Sequence, residues 1–161
     1  MADSRNTVGN IAALSLIAMP ALGEVRSENA VPQGVILKLW HKMYEAGKAQ
    51  NPPIAAAAAS AFFYLAWSGR EGGHLFRHAR FNLAGLYSTA AILTLGIVPY
   101  TIVTMRSTNN TLIGLAQSSK PLTNTEETKS RNLLGRWVVL NGIRSLLPLA
   151  GALFGITAIF A

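Results

Sequence analysis

The residues F-N-L-A-G-L-Y-S-T-A-A-I-L-T-L-G-I-V-P-Y-T-I-V, Phe81 to Val103, hold no charged side chain over 23 positions. About 20 apolar residues in a helix cross the ~30 Å hydrocarbon core of a bilayer. This block is therefore long enough to be a membrane span. Pro99 near its end predicts a kink or a released carbonyl, because proline has no N–H to donate.

Working outward, three more apolar blocks fit the same reading. Trp137 to Ala161 is a second long span, broken only by Arg144 and Pro148. Its Gly151 and Gly155 form a GxxxG pair that lets a neighbouring helix approach closely, expected here to serve packing within the chain. Pro52 to Trp67 includes the smooth run Ala55 to Ala59 and ends in the aromatics Tyr64 and Trp67, which suit an interfacial position. Val8 to Leu22 is shorter and contains Asn10 and Pro20. It is read as a retained helix rather than a signal peptide, because Asp3 offsets Arg5 in the segment before it.

The expected fold is all-α, one membrane domain of four spans near residues 8–22, 52–67, 81–103 and 137–161. Between the first two, Val35, Leu39, Met43 and Ala46 alternate helically with Lys38, Lys42, Glu45 and Lys48, which predicts an interfacial amphipathic helix. Residues 105–136 read as a long polar loop. Within it N-T-E-E, Asn124 to Glu127, marks a helix start with Thr125 as the expected cap, running into the last span.

Composition agrees. The 161 residues are 50% hydrophobic and 13% charged, where soluble domains carry about 25% charged residues. The net charge is +7. Its basic residues flank the apolar blocks, so the expected partner is anionic lipid and not nucleic acid. Loops one and three hold most of the Lys and Arg, which favours them on the cytosolic side. There is no cysteine, so disulfides, thiolate catalysis and Cys-based metal sites are excluded.

Arg144 is the residue with a chemical message. A guanidinium inside a span is costly, and no Asp or Glu lies in the four blocks to neutralise it. Trp137, Asn141 and Arg144 stand at i, i+4 and i+7, on one helix face. An aromatic, an amide and a guanidinium on one stripe suit a flat ligand bearing oxygens. The alternative is an arginine that reaches back to the membrane surface. Ser107 to Asn110 (S-T-N-N) reads as a turn or cap, or as the mouth of a pocket. His74 and His78 share metal-ligand spacing, but Gly72-Gly73 before them argues for solvated loop histidines, and no metal site is assigned. His41, within W-H-K-M-Y, is the best-placed neutral base.

Four segments carry a resemblance: L-S-L-I-A-M-P (Leu14 to Pro20), L-W-x-x-M-Y-x-x-G-K (Leu39 to Lys48), P-Y-T-I-V-T-M-R-S-T-N-N-x-L (Pro99 to Leu112) and R-W-V-V-L-N-G-I-R (Arg136 to Arg144). In this order they resemble a family of small integral membrane proteins that includes the fungal anthrone oxygenases. The family often has Pro where this chain has Ser107. The resemblance implies oxidation of a polyketide anthrone to its anthraquinone by molecular oxygen. Loss of a proton from the anthrone CH₂ gives an electron-rich anion. That anion can pass an electron to oxygen, recombine to a peroxide and lose water, without a cofactor.

On that reading the catalytic candidates are His41, Asn109, Asn141 and Arg144. Arg144 and Asn141 would stabilise the oxyanion, and His41 or Tyr44 would take the proton. Trp40, Tyr44, Tyr100, Arg106, Asn110 and Trp137 would contact substrate. The partners implied are a small aromatic polyketide and the lipid bilayer, in an internal membrane such as the endoplasmic reticulum, with oligomerisation left open. A metal- or haem-dependent oxygenase, a transporter and a non-enzymatic membrane scaffold stay open as alternatives.

Overall fold

The computed structural model describes residues 31–73 and 82–160, and every regular element among them is helical. The expected first span at 8–22, and His74 and His78, lie outside the described residues.

Three long helical columns make up the described residues. The first is α1, Gln33–Ser68. The second joins α2 (Leu83–Leu95), the single turn α3 (Ile97–Tyr100), a π-helical segment (Thr101–Met105) and α4 (Arg106–Ala116). The third is α5, Asn124–Ile159. At 1.5 Å per residue, the 36 residues of α1 and of α5 each extend about 54 Å. That is well beyond a ~30 Å hydrocarbon core. The second and third columns, Leu83–Ala116 and Asn124–Ile159, are long and apolar enough to cross a membrane.

The columns differ from the elements expected. The interfacial helix and the Pro52 span are one continuous rod. Pro52 and Pro53 each delete a backbone hydrogen bond. Packing on both sides holds the helix through that gap. Ile36, Leu37 and Trp40 are buried before it, and Ala55, Ala59 and Ala66 after it. The expected long loop at 105–136 is corrected too. S-T-N-N is helical, inside α4, because Met105, Thr108, Asn109, Leu112 and Ala116 recur at helical spacing and are buried. Ser107 and Asn110 lie on the outer face of that helix and Thr108 and Asn109 on its buried face, so the polar run is not a break.

Helix α5 does run unbroken from N-T-E-E into the apolar block. Its cap is Thr123 rather than Thr125. The Thr123 hydroxyl accepts from the Glu126 N–H (3.3 Å), and the Thr123 N–H donates to Glu126 Oε2 (2.8 Å). This capping box satisfies two orphan donors at the helix start.

Two cores result. One, in the polar half, gathers Ile36, Leu37, Trp40, Met105, Leu112, Ala116, Leu134 and Trp137. The other, at the far end, gathers Ala66, Leu83, Tyr87 and Ala158. A buried hydrogen bond from Gln33 Nε2 to Ser130 Oγ (2.9 Å) ties α1 to α5 beside the first core. The GxxxG pair packs within the chain, as expected. A Cβ at Gly151 would stand 2.9 Å from the Ala90 carbonyl oxygen, and one at Gly155 would stand 2.6 Å from the Phe62 ring.

Two outcomes follow from this packing. Gly151→Val is expected to lower the melting temperature in detergent sharply, because its neighbour is backbone that cannot rotate away. Gly114→Ala, with nothing within 4 Å, is expected to leave it unchanged or raised. The second concerns pH. Hydrogen bonds from the Thr123 N–H and hydroxyl hold the Glu126 carboxyl below the usual carboxylate range. A carboxylate depressed by folding contributes stability above its ordinary titration range and loses it as pH falls through the folded value. Thermal melts taken down an acid series should therefore fall less steeply in Thr123→Ala, which starts from a lower melting temperature.

Candidate active site

Between the two cores, α1 faces α3 and the π-helical segment across a pocket, with α5 behind it. Its void is about 620 Å³, part of it open to the exterior. Met43, Tyr44, Gly47, Lys48, Asn51 and Pro52 of α1 line one side. Ile97, Val98, Thr101 and Ile102 line the second, and Trp137 and Arg144 the third.

Backbone irregularity is concentrated at this level on both sides. Pro52 and Pro53 have no N–H for the carbonyls of Lys48 and Ala49. Pro99 likewise has none for Leu95. Past it the chain winds into the π-helical segment, where the Thr101 and Thr104 hydroxyls donate back to the carbonyls of Ile97 (2.6 Å) and Tyr100 (2.7 Å). Single π-helical turns inside α-helices often mark functional sites. Here the turn brings Thr101 to the pocket wall.

Arg144 is held rather than loose. Its Nη1 donates to Thr101 Oγ1 (3.3 Å) and its Nη2 to Asn141 Oδ1 (2.5 Å). With both terminal nitrogens engaged, Nε remains buried with no hydrogen-bond partner. The Tyr44 and Tyr100 rings are near enough to the guanidinium to interact with it electrostatically. No carboxylate pairs with Arg144 among the described residues. An anion reaching this corner would meet an oriented, unneutralised cation.

The aromatic wall is layered. Trp137 lines the pocket, and Trp40 lies behind it, fully buried. The Trp40 ring stacks on Tyr44 (5.3 Å, 19°) and meets Trp137 edge-on (5.8 Å, 89°).

The candidates read from the sequence therefore separate. Tyr44, Trp137 and Arg144 line the pocket. Asn141, fully buried, orients Arg144 from behind. Tyr100 packs beside the Trp40 core, within electrostatic reach of Arg144. His41 is half-buried away from the pocket, 3.8 Å from Glu45. Asn109 is buried in α4, its Oδ1 unpartnered, and does not line the pocket. Arg106 and Asn110 are exposed and outside it. Lys48, Asn51 and Thr101 were missed. The signal for the first two was present: Tyr44, Lys48 and Asn51 stand at i, i+4 and i+7, the same arithmetic that joins Trp137 to Arg144.

The family model for anthrone oxygenases matches residues 40–154. The chain belongs to the anthrone oxygenase family. It is 37% identical to the anthrone oxygenase encC of Aspergillus fumigatus, over 93% of this chain and 84% of that protein. It is 33% identical to an anthrone oxygenase of Claviceps purpurea, over 94% and 80%. A noranthrone monooxygenase of Aspergillus flavus is 28% identical over 91% of this chain and 64% of that protein. No solved structure matches.

The layering of the aromatic wall has a measurable consequence. Trp40→Ala should cost about 3–5 kcal/mol of stability by leaving a cavity in the core. Tyr44→Phe, which keeps the ring, should leave stability within about 0.5 kcal/mol. Denaturant titration in detergent reads both.

Proposed function

We propose that this protein is a membrane anthrone oxygenase that converts an anthrone CH₂ to the quinone carbonyl. One molecule of oxygen is consumed and one of water released. The supporting observation is Arg144: a guanidinium oriented by Thr101 and Asn141, with a free buried Nε, at the wall of an aromatic-lined pocket.

The flat tricycle lies against Trp137. Removing a proton from the CH₂ moves negative charge onto the ring oxygen, where Arg144 stabilises it. A preorganised donor in a water-poor site does this without the reorganisation that solvent would need. Tyr44, beside the guanidinium at the pocket, is the side chain assigned to take the proton, its phenolate oxygen becoming the phenol, directly or through a water. The electron-rich anion then gives an electron to oxygen, the two recombine at the former CH₂ carbon, and loss of water leaves the ketone. No metal or redox cofactor enters this scheme.

The membrane placement is part of the same reading. From Lys48 to Trp67, α1 covers about 28 Å, close to one hydrocarbon thickness. The Arg70 guanidinium packs 3.3 Å from the centre of the Trp67 ring, an amphipathic pair suited to one interface. On this reading the expected span at 8–22, outside the described residues, is the fourth. The pocket then sits just inside the opposite interface, in an internal membrane such as the endoplasmic reticulum, and the polar halves of the columns project into the cytosol.

Purified protein, stripped with chelator and checked for metals, should oxidise emodin anthrone in air well above spontaneous autoxidation. Arg144→Met should lower kcat by roughly 10²–10³, the usual loss for one oxyanion donor. Activity that disappears with the metal would sink the cofactor-free scheme. No acceleration with or without added metals would sink the enzyme reading for this substrate.

A further inference from the structure

Asn51 is 3% exposed, lines the pocket, and keeps its Oδ1 buried without a hydrogen-bond partner. A buried polar atom left unsatisfied is costly, and native structures rarely keep one without a use. Its surroundings add to the deficit of donors. The carbonyls of Lys48 and Ala49, one turn earlier, have no i+4 N–H because residues 52 and 53 are prolines. Lys48 lines the same pocket. The α1 wall therefore sets unsatisfied acceptors, Asn51 Oδ1 and the freed carbonyls, beside the donors of Tyr44 and Lys48. On α5, Arg144 has only donors, and its Nε is buried without a partner.

A ligand that satisfies both walls carries an O–H at one edge and an acceptor or anionic oxygen elsewhere on a rigid frame. A hydroxylated anthrone is such a molecule, but its hydroxyls are not equivalent. Those beside the ketone are tied internally to the ketone oxygen. A lateral hydroxyl, away from the ketone, has its proton free to donate. We infer that Asn51 is a specificity-determining residue that accepts a hydrogen bond from a lateral phenolic hydroxyl of the anthrone. It thereby selects substrates that carry that group and orients the ring so that its ketone oxygen faces Arg144. This rests on the oxygenase reading above. A site built to hydrogen-bond a hydroxyl discriminates strongly against the analogue that lacks it, since the buried partner is then left bare.

The test compares emodin anthrone with chrysophanol anthrone, which differ by one lateral hydroxyl. Initial rates are corrected for autoxidation, using wild type, Asn51→Leu and Asn51→Ala in detergent. Wild type should prefer emodin anthrone by about tenfold or more in kcat/KM. Both variants should bring that ratio close to one, by losing activity on emodin anthrone while chrysophanol anthrone stays within about twofold. A wild-type ratio near one, a ratio indifferent to residue 51, or an equal fall on both substrates would overturn the inference alone. Acceleration of neither anthrone by wild type would overturn the oxygenase reading and the inference with it. Should neither variant fold, wild-type tryptophan quenching by emodin and by chrysophanol decides. Tighter binding of emodin by about tenfold supports the inference, and equal affinities refute it.

Discussion

The guanidinium of Arg144 is the point on which the site is built. It belongs to α5, but it reaches Thr101 of the π-helical segment and Asn141 one turn back on its own helix. Thr101 stands at the pocket because the second column is rewound past Pro99. Asn141 is held in place by complete burial. A cation in an apolar bundle is tolerated only where hydrogen-bond partners and a water-accessible or ligand-accessible space exist. The opening between the two cores provides that space. Backbone irregularity, orienting bonds and pocket therefore depend on one another.

Both prolines of α1 and the one of the second column lie at the same level, and this placement has a common logic. Each removes a donor from its column and leaves a carbonyl oxygen without its helical partner. In the middle of a lipid-facing surface that would be unfavourable. Beside a pocket it supplies hydrogen-bonding capacity that a regular helix cannot offer, since α-helical backbone groups bond to one another.

How far the sequence discloses this varies with the physical signal. The apolar blocks and the Trp137, Asn141, Arg144 stripe were legible because both rest on periodicity within one helix. The unity of α1 was hidden by Pro52-Pro53, whose local preference to end a helix is overruled by packing on either side. Polarity in residues 105–116 suggested loop. A column longer than the bilayer, however, carries polar residues on a helix that simply continues beyond the apolar phase. Lys48 and Asn51 were obscured for the same reason. On an interfacial helix they belong to solvent, but on a rod packed against the second column they face a pocket. Thr101 was not legible at all, since its position depends on the extra residue wound into the π-helical segment. Which of two buried amides, Asn109 or Asn51, borders the pocket is likewise a matter of helix packing that no spacing rule supplies.

The two separate cores have a consequence for how the molecule responds to what it binds. Between them the pocket leaves Asn51 Oδ1, Trp137 Nε1 and Arg144 Nε unmatched and volume unfilled. A ligand that fits there packs against Tyr44 and Trp137 beside the Trp40 cluster and completes hydrogen bonds that folding alone leaves unmade. Its binding energy is then also cohesion energy of the bundle, because the unfolded chain offers no such pocket. Occupancy and rigidity become one variable: the protein is most tightly assembled when it holds its guest, and it loosens when the altered guest leaves.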